Sequence, residues 1–340
     1  MKNKLFTCFY PSRPFWAVSP VNFKVNQSIP YWFTEQMSEH VYTKIGTGGE
    51  VSICRDGCIL IRITRLEELV KSPPPFPPIR ETAALWSKYL DYLNALYLLI
   101  ESATIKVDQI AIFNFHEITT RDAFRVIYED NKVSCMSVAT ESYANMFQKG
   151  RFISNYSSGL LIEFDSFISH RFIVSHGALD VACTNFMKLI DNEEVISKIA
   201  SLAKSLAAYK VGNYQISILL SWFIIESLLS TMWSHHLETK KMDLPYGKKR
   251  INSKRREFLT GRDFPISTVS NLLELEGLLD HSSFEKIDQI RGCRNKIVHG
   301  GNFKPEHSDA QLALQLANEM INTITQIEIN LNFRYSVSGI

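Results

Sequence analysis

Arg294, Asn295 and His299 lie close together in a stretch, Ser283 to Gly301, that reads as a single helix. Ser283 is the expected N-cap, Glu285 sits in the first turn, and Gly300-Gly301 is the stop. At about 100° per residue, Ile287, Ile290, Ile297 and Val298 form one apolar arc with Arg294 near its middle. Asn295, Asp288 and His299 cluster on the flank. A guanidinium in a core-facing stripe is costly unless it meets an acid or opens onto a cleft. Glu226 presents the mirror anomaly, with Leu219, Trp222, Phe223, Leu229 and Trp233 around it on its own face. The expectation is a buried Glu226–Arg294 pair.

Such a set suits metal-free cleavage of RNA. One group must take the proton from the ribose 2′-OH, another must protonate the departing 5′-oxygen, and a cation must stabilise the crowded phosphorane. Histidine suits the proton transfers and arginine suits the phosphate. Asn295 would orient the imidazole or a phosphate oxygen, and Glu226 would hold Arg294. A plainer reading stays open: Glu226 and Arg294 lock helix register, and His299 is a favourable C-terminal residue of a helix. The Arg-to-His spacing recurs at Arg171 and His176, but in a β-branched, aromatic stretch with no Asn after the Arg, so that copy is set aside.

The elements that would position these residues follow from periodicity. From about Val195 the chain reads as nearly all helix: Ile196–Tyr209, Asn213–His236, Ser267–Asp280, Ser283–His299 and Glu306 to about Asn330. That predicts an all-α bundle of four or five helices. Between the second and third lies a basic segment, Thr239–Arg262, expected to be loop-like. It carries Lys248, Lys249, Arg250, Lys254, Arg255 and Arg256, which with Arg291 are the candidate RNA-binding residues. Tyr246 within it could stack on a base. A solvated loop explains the same charges equally well.

The N-terminal half reads as mixed α and β. Val51–Cys54 and Cys58–Ile63 flank Arg55-Asp56-Gly57, a strong hairpin signal that brings Cys54 and Cys58 together. The proline-rich run Ser72–Pro78 is a stiff connector before a helix over Ala83–Glu101. Ile110–Phe115, Phe124–Tyr128 and Leu160–Phe164 are strand candidates. No phosphate loop, glycine fingerprint or metal-ligand spacing stands out, so no cofactor or metal is expected. The fold expected is α+β in two domains: mixed α/β over 1–190 and a helical bundle over 193–335.

With 340 residues, 45% hydrophobic and 21% charged, the composition is that of a globular chain and excludes a disordered one. Six scattered cysteines are no disulfide framework. The start lacks a signal-peptide core, and the best apolar run, Ile216–Leu229, is interrupted by Ser217, Ser221, Glu226 and Ser227. A cytoplasmic protein without a membrane span is expected.

Arg294-Asn295-Lys296-Ile297-Val298-His299-Gly300, late in a helical bundle and preceded by Trp222-Phe223-Ile224-Ile225-Glu226-Ser227-Leu228-Leu229, resembles the HEPN superfamily, most closely its ApeA-like branch. The resemblance covers about residues 193–335. It implies a metal-independent endoribonuclease leaving a 2′,3′-cyclic phosphate and acting as a homodimer whose motif helices face each other. It further implies a role in phage defence or as a toxin, with RNA such as tRNA as substrate and an antitoxin or phage-derived trigger as partner. By the same resemblance Arg294 and His299 are catalytic, with Asn295 and Glu226 supporting. One branch is controlled by nucleotidylation of a tyrosine three residues after the histidine; Asn302 stands there, which argues against that control. The N-terminal half would be a sensor or substrate-selection module. The rival is a non-catalytic module that dimerises or binds RNA or nucleotide. A metal-dependent nuclease would need clustered carboxylates, which the sequence does not supply.

Overall fold

A computed structural model describes residues 4–12, 15–21, 36–70, 79–111, 114–129, 132–137, 171–241, 243–244, 248–261, 264–300 and 302–334. The chain is α+β and divides into two compact units, Met1–Ala203 with Glu328–Ile340, and Lys204–Ile327. The division expected from helical periodicity and the family resemblance is 1–190 and 193–335.

The first unit is built on a six-stranded antiparallel sheet. Its strands are β1 (Lys4–Phe9), β3 (His40–Gly46), β4 (Gly49–Cys54), β5 (Ile59–Ile63), β6 (Phe124–Glu129) and β7 (Lys132–Ser137), in the order β3-β4-β5-β1-β6-β7. β2 (Phe15–Ala17) pairs in parallel with β8 (Phe172–Val174). The hairpin expected at Asp56-Gly57 forms: Cys54 N donates to Cys58 O at 2.9 Å, and Gly57 takes φ +86°, which glycine adopts without a Cβ penalty. Alternation then puts Phe6, Cys8, Tyr10, Cys54, Cys58, Leu60, Phe124 and Val126 into one buried cluster. Glu50, 4% exposed, is held by Lys4 at 3.0 Å and Arg62 at 3.4 Å.

Helix α1 (Thr64–Val70) leads on to α2 (Ile79–Ala103), whose buried Tyr89, Tyr92, Leu93, Leu96, Tyr97 and Ile100 recur at helical spacing. A π-turn, Thr104–Asp108, extends α2 and ends at Gln109 in the left-handed conformation. This overturns the strand expected over Ile110–Phe115, whose described residues are irregular. An apolar run that short fits a strand and a helix end alike, and the helix claimed its approach. The Leu160–Phe164 candidate and Tyr246 lie outside the described residues. Helix α3 (His176–Leu189) follows β8, capped by Ser175, whose side chain accepts from Ala178 N. The set-aside pair is structural: Arg171 is buried over Trp16 and donates to Asp56 O, while His176 packs edge-on against Tyr42. The C-terminal segment returns here, where Asn330 N donates to Ser102 Oγ at 2.8 Å and Lys106 pairs with Glu328 at 2.6 Å.

Helix α4 (Glu193–Lys210) begins in the first unit and ends in the second. The second unit continues with α5 (Tyr214–Thr239), β9 (Asp243–Leu244), β10 (Lys248–Lys249), α6 (Ser253–Thr260), α7 (Ile266–Leu275), α8 (His281–His299) and α9 (His307–Thr325). α5 packs against α6, α7, α8 and α9. Ser205 of α4 donates to Ser217 O at 2.8 Å and lies 2.9 Å from Ser221 Oγ, three buried hydroxyls that satisfy one another. α5 is long and apolar enough to span a membrane by length and composition; half of its most apolar window is buried within the bundle, as in a core helix.

The segment expected to be a loop, Thr239–Arg262, instead contains β9, β10 and α6. Asn252 caps α6 by accepting from Arg255 N at 2.8 Å, and Lys-Arg-Arg-Glu-Phe-Leu is a run of helix-tolerant residues that a reading of charge alone overlooks.

Candidate active site

Three contacts orient α8 in the bundle. His281 Nδ1 lies 3.2 Å from Glu274 in the last turn of α7, Lys286 pairs with Glu319 of α9 at 3.4 Å, and Gln215 at the start of α5 donates to Phe303 O just beyond α8. The C-terminal end of α8 therefore lies beside the N-terminal end of α5, and the two helices run antiparallel. Asp280, not Ser283, caps α8: its carboxylate accepts from Ser283 N at 2.9 Å and Ser283 Oγ at 2.7 Å. A carboxylate three residues upstream is the better acceptor for the exposed amides, which starts the helix one turn-fraction earlier than expected. At the other end Gly300 N closes onto Lys296 O at 2.7 Å; a Cβ at Gly300 would lie 2.3 Å from that oxygen. The glycine fixes where the helix stops and hence where His299 projects.

The apolar arc on α8 is buried only in its first half. Ile287 and Ile290 are 1% and 2% exposed, whereas Ile297 is half-buried and Val298 is 48% exposed. Arg294 sits where the arc emerges. Its Nε is buried without a hydrogen-bond partner, while Nη1 donates to Asn295 Oδ1 at 3.1 Å. Among the described residues no carboxylate pairs with Arg294. Asn295 and His299, one turn apart, are both exposed on the adjoining face. Arg294, Asn295 and His299 are thus brought together at the end of one helix, with the guanidinium partly withdrawn from water and the imidazole open to it.

Glu226 behaves differently from the expectation. It is half-exposed and forms no ion pair with Arg294. The reason lies in α5 itself: Phe223 and Ser230, one turn to either side of Glu226, are exposed, so Glu226 lies along the rim and not within the core. Ile216 and Phe223 on α5 are 43% and 57% exposed, and with Val298 on α8 they leave large apolar side chains uncovered on two packed helices.

Other neighbours had no signal in the sequence. Gln215 and Phe303 tie the loop after α8 to α5, and Lys296 lies over the Phe303 ring at 5.4 Å. Cys293 Sγ points at Asp309 Oδ1, 3.8 Å away; burial, and then that carboxylate, raise its thiol above the ordinary range, which keeps it protonated at neutral pH.

The basic residues separate into two groups. Arg291 pairs with Asp288, and Arg256 and Lys241 both pair with Glu238, whose carboxyl Lys241 foremost holds below the usual range. Lys240 pairs with Glu276 at 3.1 Å. Among the described residues no acid pairs with Lys249, Lys254 or Arg255; Arg255 Nη1 donates to Arg250 O at 3.0 Å and keeps its charge uncompensated. Lys248 and Lys249 form β10. Among the described residues no group of three or more His, Cys, Asp or Glu side chains has the placement to hold a metal ion.

No family model, curated protein or solved structure matches this chain. The site is therefore read from its own geometry. That geometry offers a guanidinium that meets no carboxylate among the described residues, an amide 3.1 Å from it, and an exposed imidazole on the adjoining face.

Proposed function

We propose that the helical unit is a metal-independent, HEPN-type endoribonuclease. The observation that carries the reading is Arg294: a guanidinium whose Nε is buried and unsatisfied and which meets no carboxylate among the described residues, five residues before an exposed imidazole. Withdrawing such a charge from water is unfavourable unless a ligand completes it, and a phosphodiester supplies the bidentate acceptor it lacks.

In the reaction so read, His299 takes the proton from the ribose 2′-OH, whose oxygen attacks the adjacent phosphorus. Arg294 neutralises charge on the non-bridging oxygens as the phosphorane forms. The P–O5′ bond then breaks, a proton passes to O5′, and a 2′,3′-cyclic phosphate remains. Asn295 positions the guanidinium through its 3.1 Å contact. No metal or cofactor enters these steps. One imidazole per chain serves poorly as both base and acid, so a homodimer with two copies of His299 across a dyad belongs to the proposal. The exposed Ile216, Phe223 and Val298 support it, because a second copy would remove them from water. Within a single chain Glu226 takes no part in holding Arg294. A cytoplasmic setting, tRNA among the substrates, and a defence or toxin role with an antitoxin or phage-derived trigger rest on the family resemblance alone.

A second reading, an RNA-binding module that does not cut, draws on the absence of any group orienting the His299 imidazole among the described residues. Incubation with total tRNA and a long transcript, in the presence of EDTA, decides between them. The nuclease yields fragments with 2′,3′-cyclic ends, and His299→Ala yields none. Binding without fragments from the wild type sinks the nuclease and leaves the module.

A further inference from the structure

We propose that α6 is a docking platform for single-stranded RNA, with a base stacked on Phe258 and the flanking phosphates taken by Lys254 and Arg255. The proposal rests on the RNA reading above and adds where the strand binds and which form of RNA is recognised.

Helix α6 contributes no buried residue to the bundle. It is fastened by Trp233 Nε1, which donates to Leu259 O at 2.9 Å, by the Arg256–Glu238 pair, and by one edge of Phe258, whose ring meets Phe264 at 6.4 Å. The rest of the Phe258 ring faces outward, leaving the residue 59% exposed. Lys254 and Arg255 stand four and three residues before it, so both flank the ring on that face. Both are exposed, and among the described residues neither meets an acid; Glu257 is the one opposing charge on the helix. This face sets a large exposed ring beside two cations that meet no acid among the described residues. It matches a flexible polyanion whose bases have free faces, because stacking and phosphate neutralisation then occur within one nucleotide's reach. A duplex hides its base faces and would gain only the charge term.

The position of α6 adds a length requirement. Its anchors, Trp233 and Glu238, belong to the last turns of α5, whereas the end of α8 is tied to Gln215 in the first turn. Some twenty residues at ~1.5 Å each separate them, about 30 Å. A strand stacked at ~3.4 Å per nucleotide covers that in about nine nucleotides. Shorter oligonucleotides reach one place or the other but not both.

The test uses the full chain carrying His299→Ala, so that binding is read without cleavage. Fluorescence anisotropy is followed with a labelled single-stranded RNA of twenty nucleotides, a five-nucleotide RNA and a duplex of the same sequence. Phe258→Ala is expected to weaken the long single strand about 5- to 100-fold and the duplex by less than about twofold, with Phe258→Tyr restoring binding. Lys254→Gln with Arg255→Gln is expected to reduce the salt dependence by nearly two phosphate contacts on both. Equal losses on duplex and single strand, or full binding by Phe258→Ala, overturn the platform. If wild type shows Phe258-dependent binding but no cleavage, the platform stands and the nuclease falls. If it cleaves while Phe258→Ala binds normally, the reverse holds.

Discussion

Phe223→Ser on α5 tests whether the uncovered apolar face is an interface between two copies. Phe223 is 57% exposed in the single chain. A phenylalanine offers ~200 Å² of surface, so covering that fraction removes ~115 Å² from water, worth about 3 kcal/mol at ~25 cal/mol per Å². An isologous contact uses the same residue twice, which doubles the loss to about 6 kcal/mol, or roughly four decades in dimer Kd. That figure is a ceiling, since area converts incompletely to affinity, and a hundredfold change is the least the reasoning accepts. Because the side chain is mostly outside the monomer core, Tm should move little, by the equivalent of about 0.5 kcal/mol. Sedimentation velocity across a concentration series reads the dissociation constant directly, and RNA cleavage should fall in step with the dimer fraction. A wild type that stays monomeric throughout, or a Phe223→Ser protein that assembles as before, refutes the two-copy site.

Three further outcomes follow from the packing. Glu50→Ala removes the acid shared by Lys4 and Arg62 and should cost about 2–3 kcal/mol in urea melts, less than a fully buried pair because Lys4 is half-exposed. Ser205→Ala leaves Ser217 and Ser221 without their common partner and should cost about 1–3 kcal/mol, seen as a lower midpoint with unchanged m. Burial holds the imidazole of His116 below its ordinary 6.5, against the opposing pull of Asp122. The unfolded chain then takes up protons that the folded chain refuses, so this contribution is complete above pH 6.5 and is lost as pH falls below it. Thermal melts from pH 7.5 to 5 should fall more steeply for the wild type than for His116→Gln.

Much of the architecture was written in short-range pattern. Asp56-Gly57 between alternating apolar residues specified its hairpin, the helices α2, α4 and α9 were visible as periodic stripes, and α5 as one long, unusually apolar run. The misread places were those where two local signals competed. Asp280 and Ser283 are both good caps, three residues apart, and only the geometry of the exposed amides chose between them. Thr239–Arg262 hid a helix behind its charge. Periodicity also assigns residues to a face without saying whether a neighbour covers it. Ile287 and Ile290 found cover whereas Val298, on the same arc, did not. For that reason Arg294 and Glu226 were both expected to be buried and paired, and each instead lies at the margin of the bundle. His299 and Asn295 were legible as residue types at a spacing; the buried, unsatisfied Nε of Arg294 was not, because it depends on the depth of one atom.

The return of Glu328–Arg334 to Ser102 and Lys106 has an outcome for synthesis on the ribosome. The helical unit is an insert within the other unit's chain, and every residue of it emerges before the strand-bearing unit receives its last piece. The sheet-bearing unit therefore cannot be completed until after the whole bundle sequence has been made, so the unit that begins first is not the one that can finish first.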